Sequence, residues 1–240
     1  MWVIDADNLT KTFAWVPVLS HVSCRVAAGE VVGVFGPNGA GKTTFLRLLA
    51  TLLRPSAGTL TLFGSSPQEA GVRRRLGFLG HESFLYPDLT PIENLTFYGR
   101  AYTVPDMQTR IATVLHQVGL QQWGNTVVRT FSRGMEQRLA LARVLLHEPD
   151  LLLLDEPYTG LDAQGVATLQ SALTYLKAHG KTILLTTHDF AFGLELCTRA
   201  LIVNRGRIVW ESEGRVPSVP EFVAIYHATI SQSAFRDPRS

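Results

Sequence analysis

The chain has 240 residues, 46% of them hydrophobic, a formal net charge of +2 and two cysteines. That length suits one large α/β domain or two small ones with an ordinary buried core. The near-neutral charge excludes a strong field for nucleic acid or an anionic membrane, and no window reaches the roughly 18 uncharged apolar residues of a bilayer span.

Strand-like runs are predicted at Trp2–Ala6 and Val22–Val26, and then at Val31–Phe35. Asp5 and Asp7, so near the start, argue against a signal peptide. Residues 36–44 follow as Gly-Pro-Asn-Gly-Ala-Gly-Lys-Thr-Thr, the pattern G-x-x-x-x-G-K-[ST]. Three glycines let the backbone curl so that its N–H groups converge, and a helix N-terminus behind them favours a polyphosphate. Lys42 adds a point charge for the β- and γ-phosphates, and the Thr43 hydroxyl can ligate Mg²⁺. The helix behind this loop is predicted over Lys42–Leu53.

Further strands are predicted at Thr59–Phe63 and Leu76–Leu79, with Gly58 and Gly64 as turn residues. Residues 84–147 then lack strand patterns and carry helical runs at Pro91–Tyr102, Met107–Val118 and Met135–Leu146, which reads as a helical insertion. Strands return at Leu151–Asp155 and Thr182–Thr186, separated by a helix over Ala163–Ala178. Next come a helix at Phe190–Cys197 and strands at Ala200–Val203 and Arg207–Trp210, turned by Gly206. A closing helix is expected over Pro217–Ile230 and a loose tail over Ser231–Ser240. This alternation predicts a mostly parallel sheet with helices on both faces. Cys24 and Cys197 sit in no metal or redox spacing and read as reduced, buried thiols, as in a cytosolic compartment.

Leu151–Leu154 form a strand expected to be buried on both faces, and Asp155 and Glu156 emerge at its C-terminal end, where α/β sheets bind ligands. Asp155 is placed to hold Mg²⁺, directly or through water, and Glu156 to polarise an attacking water. Thr186-Thr187-His188-Asp189 follows another apolar strand, so His188 can reach a γ-phosphate.

These segments together resemble the ABC ATPases. Gly36–Thr44 is similar to a Walker A loop and Leu151–Glu156 to a Walker B strand. Phe131-Ser132-Arg133-Gly134-Met135 resembles the signature motif, Gly160-Leu161-Asp162 the D-loop and His188 the switch histidine. The resemblance runs in order from about residue 3 to residue 212. It implies a P-loop core of the ABC ATPase type, with a mostly parallel sheet flanked by helices, an antiparallel β subdomain and a helical insertion. The ATPase domain would occupy 1–215, its core lying at about 1–83 and 148–215 and its helical subdomain at about 84–147, with a C-terminal helix and tail over 216–240.

By the same resemblance, Phe13 stacks on adenine, and Pro37, Asn38, Gly39, Ala40, Gly41, Lys42, Thr43 and Thr44 hold the phosphates of ATP. Lys42, Glu156 and His188 are the catalytic residues, and Thr43 and Asp155 serve Mg²⁺. Ser132 and Gly134 cap the γ-phosphate of a second copy, so two cassettes, identical or related, would sandwich two ATP molecules. The expected partners are integral membrane transporter subunits and not nucleic acid, at the cytoplasmic face of the membrane.

Two departures stand out. The signature usually reads Leu-Ser-Gly-Gly-Gln, and here Phe131, Arg133 and Met135 replace three of the five. His81, followed by Glu82, stands where a glutamine that senses Mg²⁺ is usual, and either residue can take that role. The stretch Gly80–Tyr98, with Gly-His, Glu-Asn-Leu and Phe-Tyr, is similar to the haem-exporter ATPases of cytochrome c maturation. The drug, polysaccharide and lipid exporter ATPases share much of it. In this reading Phe84, Tyr86 and Pro87 contact a membrane subunit, or else form a satellite apolar cluster. A soluble ABC ATPase of translation or DNA repair usually carries two cassettes or a long coiled coil, and neither is present.

Overall fold

The computed structural model describes the backbone of residues 2–235 and the side chains of residues 2–231. It opens with two long antiparallel strands, β1 (Trp2–Phe13) and β2 (Val16–Ala27). β3 (Val31–Phe35) leads into α1 (Lys42–Leu49). Then come β4 (Ala57–Leu62), the short α2 (Ala70–Arg74) and β5 (Leu76–Leu79). Three helices follow without an intervening strand: α3 (Pro91–Tyr102), α4 (Met107–Gln117) and α5 (Arg133–Leu145). The chain re-enters the sheet with β6 (Leu151–Asp155), α6 (Ala163–Ala178), β7 (Thr182–Thr186) and α7 (Phe190–Leu196). It closes with β8 (Arg199–Asn204), β9 (Arg207–Glu211) and α8 (Val219–Phe235).

The strands form two sheets. One is antiparallel in the order β2-β1-β4, and the other has the order β5-β6-β7-β3-β8-β9, parallel except for its last pair. The expected mixed α/β architecture with an antiparallel subdomain is therefore what the chain adopts. Every residue of β3, β6 and β7 is buried, as continuous apolar strands in the middle of a parallel sheet must be. Successive side chains serve opposite layers. Val32, Val34, Leu151, Leu153 and Leu184 pack with α1 and the antiparallel sheet. Val31, Leu152, Leu154, Ile183 and Leu185 pack with the helical layer of α4, α5 and α6.

Helix starts follow local chemistry. Thr90 and Glu93 form a reciprocal capping box at α3, and the side chains of Ser132, Asp162 and Asp189 accept amide hydrogen bonds at the starts of α5, α6 and α7. Because Ser132 is the cap, α5 begins at Arg133, two residues earlier than expected. Helix α1 stops at Leu49 rather than Leu53. Thr51 adopts a left-handed conformation (φ 62°), and the amides of Leu52 and Leu53 fold back onto the Arg47 carbonyl.

Strands β1 and β2 are each about twice their expected length. Their junction is a two-residue turn with Ala14 at φ 43° and Trp15 at φ 73°, a conformation that Asn-Gly usually signals. At the other end, α8 extends through Phe235, so the first half of the expected loose tail is helical and residues 236–240 lie outside the described residues. Phe222 of α8 is fully buried, 4.7 Å from the Phe35 ring and 5.2 Å from that of Phe190. Burying a ring of this size is worth roughly 2–3 kcal/mol, which fixes the closing helix to the end of β3. Cys24 and Cys197 are both free and buried, as expected, and burial pushes their thiols up to about 11 and about 12.

Candidate functional site

In the central sheet β7 lies between β6 and β3, with Asp155 opposite Thr186 on one side and Val34 opposite Thr186 on the other. This adjacency brings three chain segments to one edge: the glycine loop after β3, the carboxylates after β6, and the histidine after β7. Residues far apart in sequence thus meet because their strands are neighbours.

The glycine loop enters α1 through Gly41, at φ 103°. A Cβ there would stand 2.8 Å from Leu19 Cδ2 and 2.9 Å from the Val18 carbonyl, so strand β2 packs directly against the loop. The Gly206 amide donates to the Ala40 carbonyl and fixes the loop from the other side. Lys42 is only 8% exposed and donates from Nζ to the carbonyls of Gly36 and Pro37 at 2.7 and 3.1 Å. Its burial lowers the ammonium pKa, while the charges of Glu156 and Asp155 act in the opposite sense.

The two carboxylates are built differently. Asp155 is 2% exposed, and its Oδ1 accepts from the Thr186 hydroxyl at 2.7 Å, while its Oδ2 has no hydrogen-bond partner among the described residues. Among the described residues the only ion-pair contact at that oxygen is His81 Nε2, 3.8 Å away. Glu156 sits at φ 51°, a costly conformation for a residue with a Cβ, and its amide donates to both the carbonyl and the hydroxyl of Thr186. Its Oε2 accepts from the His188 amide at 3.2 Å and lies 2.8 Å from His188 Nδ1. The carboxylate thereby favours the tautomer with a proton on Nδ1.

Thr186 thus touches both acids at once. Its role escaped sequence reasoning, because a threonine ending a β-strand is an ordinary β-former. Thr186→Val should keep the strand but remove the donor to Asp155 and one acceptor for the Glu156 amide. The expected result is a loss of about 1–3 kcal/mol of stability and at least a tenfold fall in the ATP turnover that the ABC ATPase resemblance implies. Thermal melts and phosphate-release rates check this, and unchanged values for both would deny Thr186 a positioning role.

The segments line a cleft of about 550 Å³ that includes Asn38, Lys42, Thr43, His81, Glu156 and His188, a volume suited to a nucleotide-sized ligand. Gly39, Ala40, Gly41 and Thr44 line it too. A smaller recess of about 90 Å³ adjoins it, lined by His81, Arg133, Glu136, Asp155 and Glu156 among others. Glu82 lines neither. Phe13 lies at the end of β1, 43% exposed and outside the cleft lining, with the Lys11 ammonium 4.9 Å from its ring centre.

Ser132 and Gly134 do not line this cleft either. Ser132 is occupied as the cap of α5, and a Cβ at Gly134 would meet only the Gly160 carbonyl at an ordinary 3.6 Å. Among the described residues no neighbour crowds a side chain at 134. The loop after β5 is tied to α5 by the Ser83 hydroxyl, which donates to Glu136 at 2.6 Å.

Among the described residues no group of three or more His, Cys, Asp or Glu side chains is placed to hold a metal ion. The unpartnered Asp155 Oδ2 and the Thr43 hydroxyl nevertheless suit a hard divalent ion that brings most of its ligands as phosphate and water oxygens.

Comparison with known proteins gives the chain its family. A family described as ABC transporter matches residues 19–159. The ABC transporter ATP-binding protein NatA of Bacillus subtilis (strain 168) is 39% identical over 200 residues, 81% of this chain and 81% of that protein. Nod factor export ATP-binding protein I of Paraburkholderia xenovorans (strain LB400) is 41% identical over 212 residues, covering 87% of this chain and 70% of that protein. A solved dimeric ATP-binding cassette in a post-hydrolysis state, bound to ADP and Pi, superposes with a TM-score of 0.81 at 26% identity, covering 88% of this chain and 99% of the other.

Proposed function

The chain belongs to the ABC transporter family as an ATP-binding, ATP-hydrolysing subunit, and from that premise we propose that it powers export through separate integral membrane subunits. The observation that carries the catalytic part is the convergence of Lys42, Glu156 and His188 on one cleft at the edge of the central sheet, with Asp155 in the recess that adjoins it. The amides of residues 39–43 and the Lys42 ammonium bind the phosphates. His188 holds Glu156 through its amide and Nδ1, so that the free carboxylate oxygen accepts the proton of a water attacking the γ-phosphorus. The bond between the γ-phosphorus and the β–γ bridging oxygen breaks, and ADP leaves with that oxygen. Thr43 and Asp155 would hold Mg²⁺, which would supply positive charge against the phosphates.

Ser132 and Gly134 act on a second copy. They lie away from this chain's own cleft, and Gly134 is free of any internal steric need for glycine. A dimer of cassettes, as in the similar solved cassette, gives them a γ-phosphate to meet. Phe13 stacks its free face on adenine, opposite the Lys11 ammonium. Differential affinity of ATP and ADP for closed and open dimers is then the source of the work.

No helix among the described residues is long and apolar enough to cross a membrane, so docking at the cytoplasmic face falls to partner subunits. Residues 84–147, with half-exposed Phe84 and Tyr86, are the face we assign to them. Export is supported by the similarity to a Nod factor export protein. Neither named relative refers to haem or cytochrome maturation, so that finer assignment stands on the similarity of Gly80–Tyr98 alone, and the broader exporter reading is the better supported. Purification of the tagged chain from detergent-solubilised membranes should retain integral membrane subunits in fixed proportion. Their identity decides between haem and other cargo. Retention of ribosomes instead of membrane subunits would overturn the transport reading.

A further inference from the structure

We propose that His81 gives a ring nitrogen to the divalent ion carried by the bound nucleotide, and that the site therefore favours transition-metal ions over Mg²⁺ more than a glutamine there would allow. The inference rests on the ATPase reading of the same cleft and concerns which ion that cleft selects.

Three observations carry it. Asp155 Oδ2 is a buried carboxylate oxygen without a hydrogen bond among the described residues, although its companion Oδ1 is held by Thr186. Such an orphan costs free energy unless something positive meets it. The group facing it is His81 Nε2 at 3.8 Å, too far for a hydrogen bond. One ion can nevertheless join the two, since donors at about 2.0–2.2 Å from a shared ion stand up to about 4.4 Å apart.

His81 is also the residue that joins the two spaces. It lines the cleft together with Thr43 and Lys42, and it lines the recess together with Asp155. Its side chain is 54% exposed, and its ring makes no hydrogen bond among the described residues, so it is free to turn toward an ion. Glu82, the other residue able to replace the expected glutamine, is exposed and lines neither space, which removes it from the choice.

The third point is chemical. An amide oxygen is a hard donor that suits Mg²⁺, whereas imidazole nitrogen adds little to Mg²⁺ and progressively more to Mn²⁺, Co²⁺ and Ni²⁺. A nitrogen at this position tilts selectivity along that series, while Asp155, Thr43 and the phosphates keep the site competent for hard ions.

The test uses the full chain with a non-hydrolysable ATP analogue. In the Mn²⁺ complex of protein made with ¹⁵N-histidine, pulsed electron paramagnetic resonance should detect a histidine nitrogen on the ion. The coupling should change with the isotope and vanish in His81→Gln. In parallel, nucleotide affinity measured with Mg²⁺, Mn²⁺, Co²⁺ and Ni²⁺ should show a wild-type advantage over His81→Gln that grows along the series, reaching about tenfold at Co²⁺. Absence of a histidine coupling in the wild type, its persistence in His81→Gln, or one equal ratio for all four ions would overturn the proposal and leave the ATPase reading standing. A wild-type chain that binds no nucleotide with any ion would overturn both. The labelled wild-type measurement needs no variant, so a poorly folding substitution does not blunt the test.

Discussion

Glu156→Gln should slow ATP turnover by roughly 10²–10⁴-fold while leaving ATP bound, the span expected for removing a positioned general base. The substitution is nearly isosteric, and its effect on structure should be small. The amide oxygen of glutamine can still accept from the His188 amide and from Nδ1, which meet Glu156 Oε2 at 3.2 and 2.8 Å. The backbone bonds to Thr186 do not involve the side chain, and glutamine at φ 51° is strained no more than glutamate. What disappears is the ability to take a proton. If Ser132 and Gly134 complete the site from a second copy, the variant should accumulate as an ATP-bound dimer. Phosphate release and size-exclusion chromatography with ATP check both parts, and undiminished turnover would remove Glu156 from its role.

Lys42→Ala should abolish the tight grip on ATP without unfolding the chain. The ammonium is the one cation among the residues that line the loop side of the cleft, and each charge-assisted bond it makes to phosphate is worth about 1.5–3 kcal/mol, so two such bonds account for a loss of at least about a hundredfold in affinity. Stability should change little. Burial lowers the pKa of Lys42, which means that the fold carries this charge at a cost offset by the carbonyls of Gly36 and Pro37 and by the nearby acids. Fluorescent-nucleotide titration together with a thermal melt separates the two effects. Retained ATP affinity in a folded variant would contradict the phosphate-loop assignment.

The candidate site at the strand ends was legible because its residues announce themselves twice, by type and by place. A glycine loop with lysine, an acidic pair and a histidine each follow an apolar strand, and parallel sheets gather such ends. The supporting residues were not legible. Thr186 carries no signal beyond β propensity, and its value arises only when β6 and β7 pair. The hairpin at Ala14 and Trp15 uses left-handed backbone without the glycine or asparagine that would mark it, so β1 and β2 looked short. The five-residue α2 is too brief for a period to register. The haem-exporter resemblance came from Gly80–Tyr98, a segment whose composition is shared by several exporter classes. Similarity over 200 residues or more weighs the whole chain instead.

The bond from Ser83 to Glu136 has a mechanical consequence. It joins the loop that carries His81 to the first turn of the helix whose capped end carries Ser132, making the two one lever rather than two loose parts. A push on Phe84 or Tyr86 from outside must either rotate that helix end or break a charge-assisted bond worth about 1.5–3 kcal/mol. Strain applied at the aromatic face is thereby passed to the capped start of α5, with a hydroxyl and a carboxylate as the linkage pin.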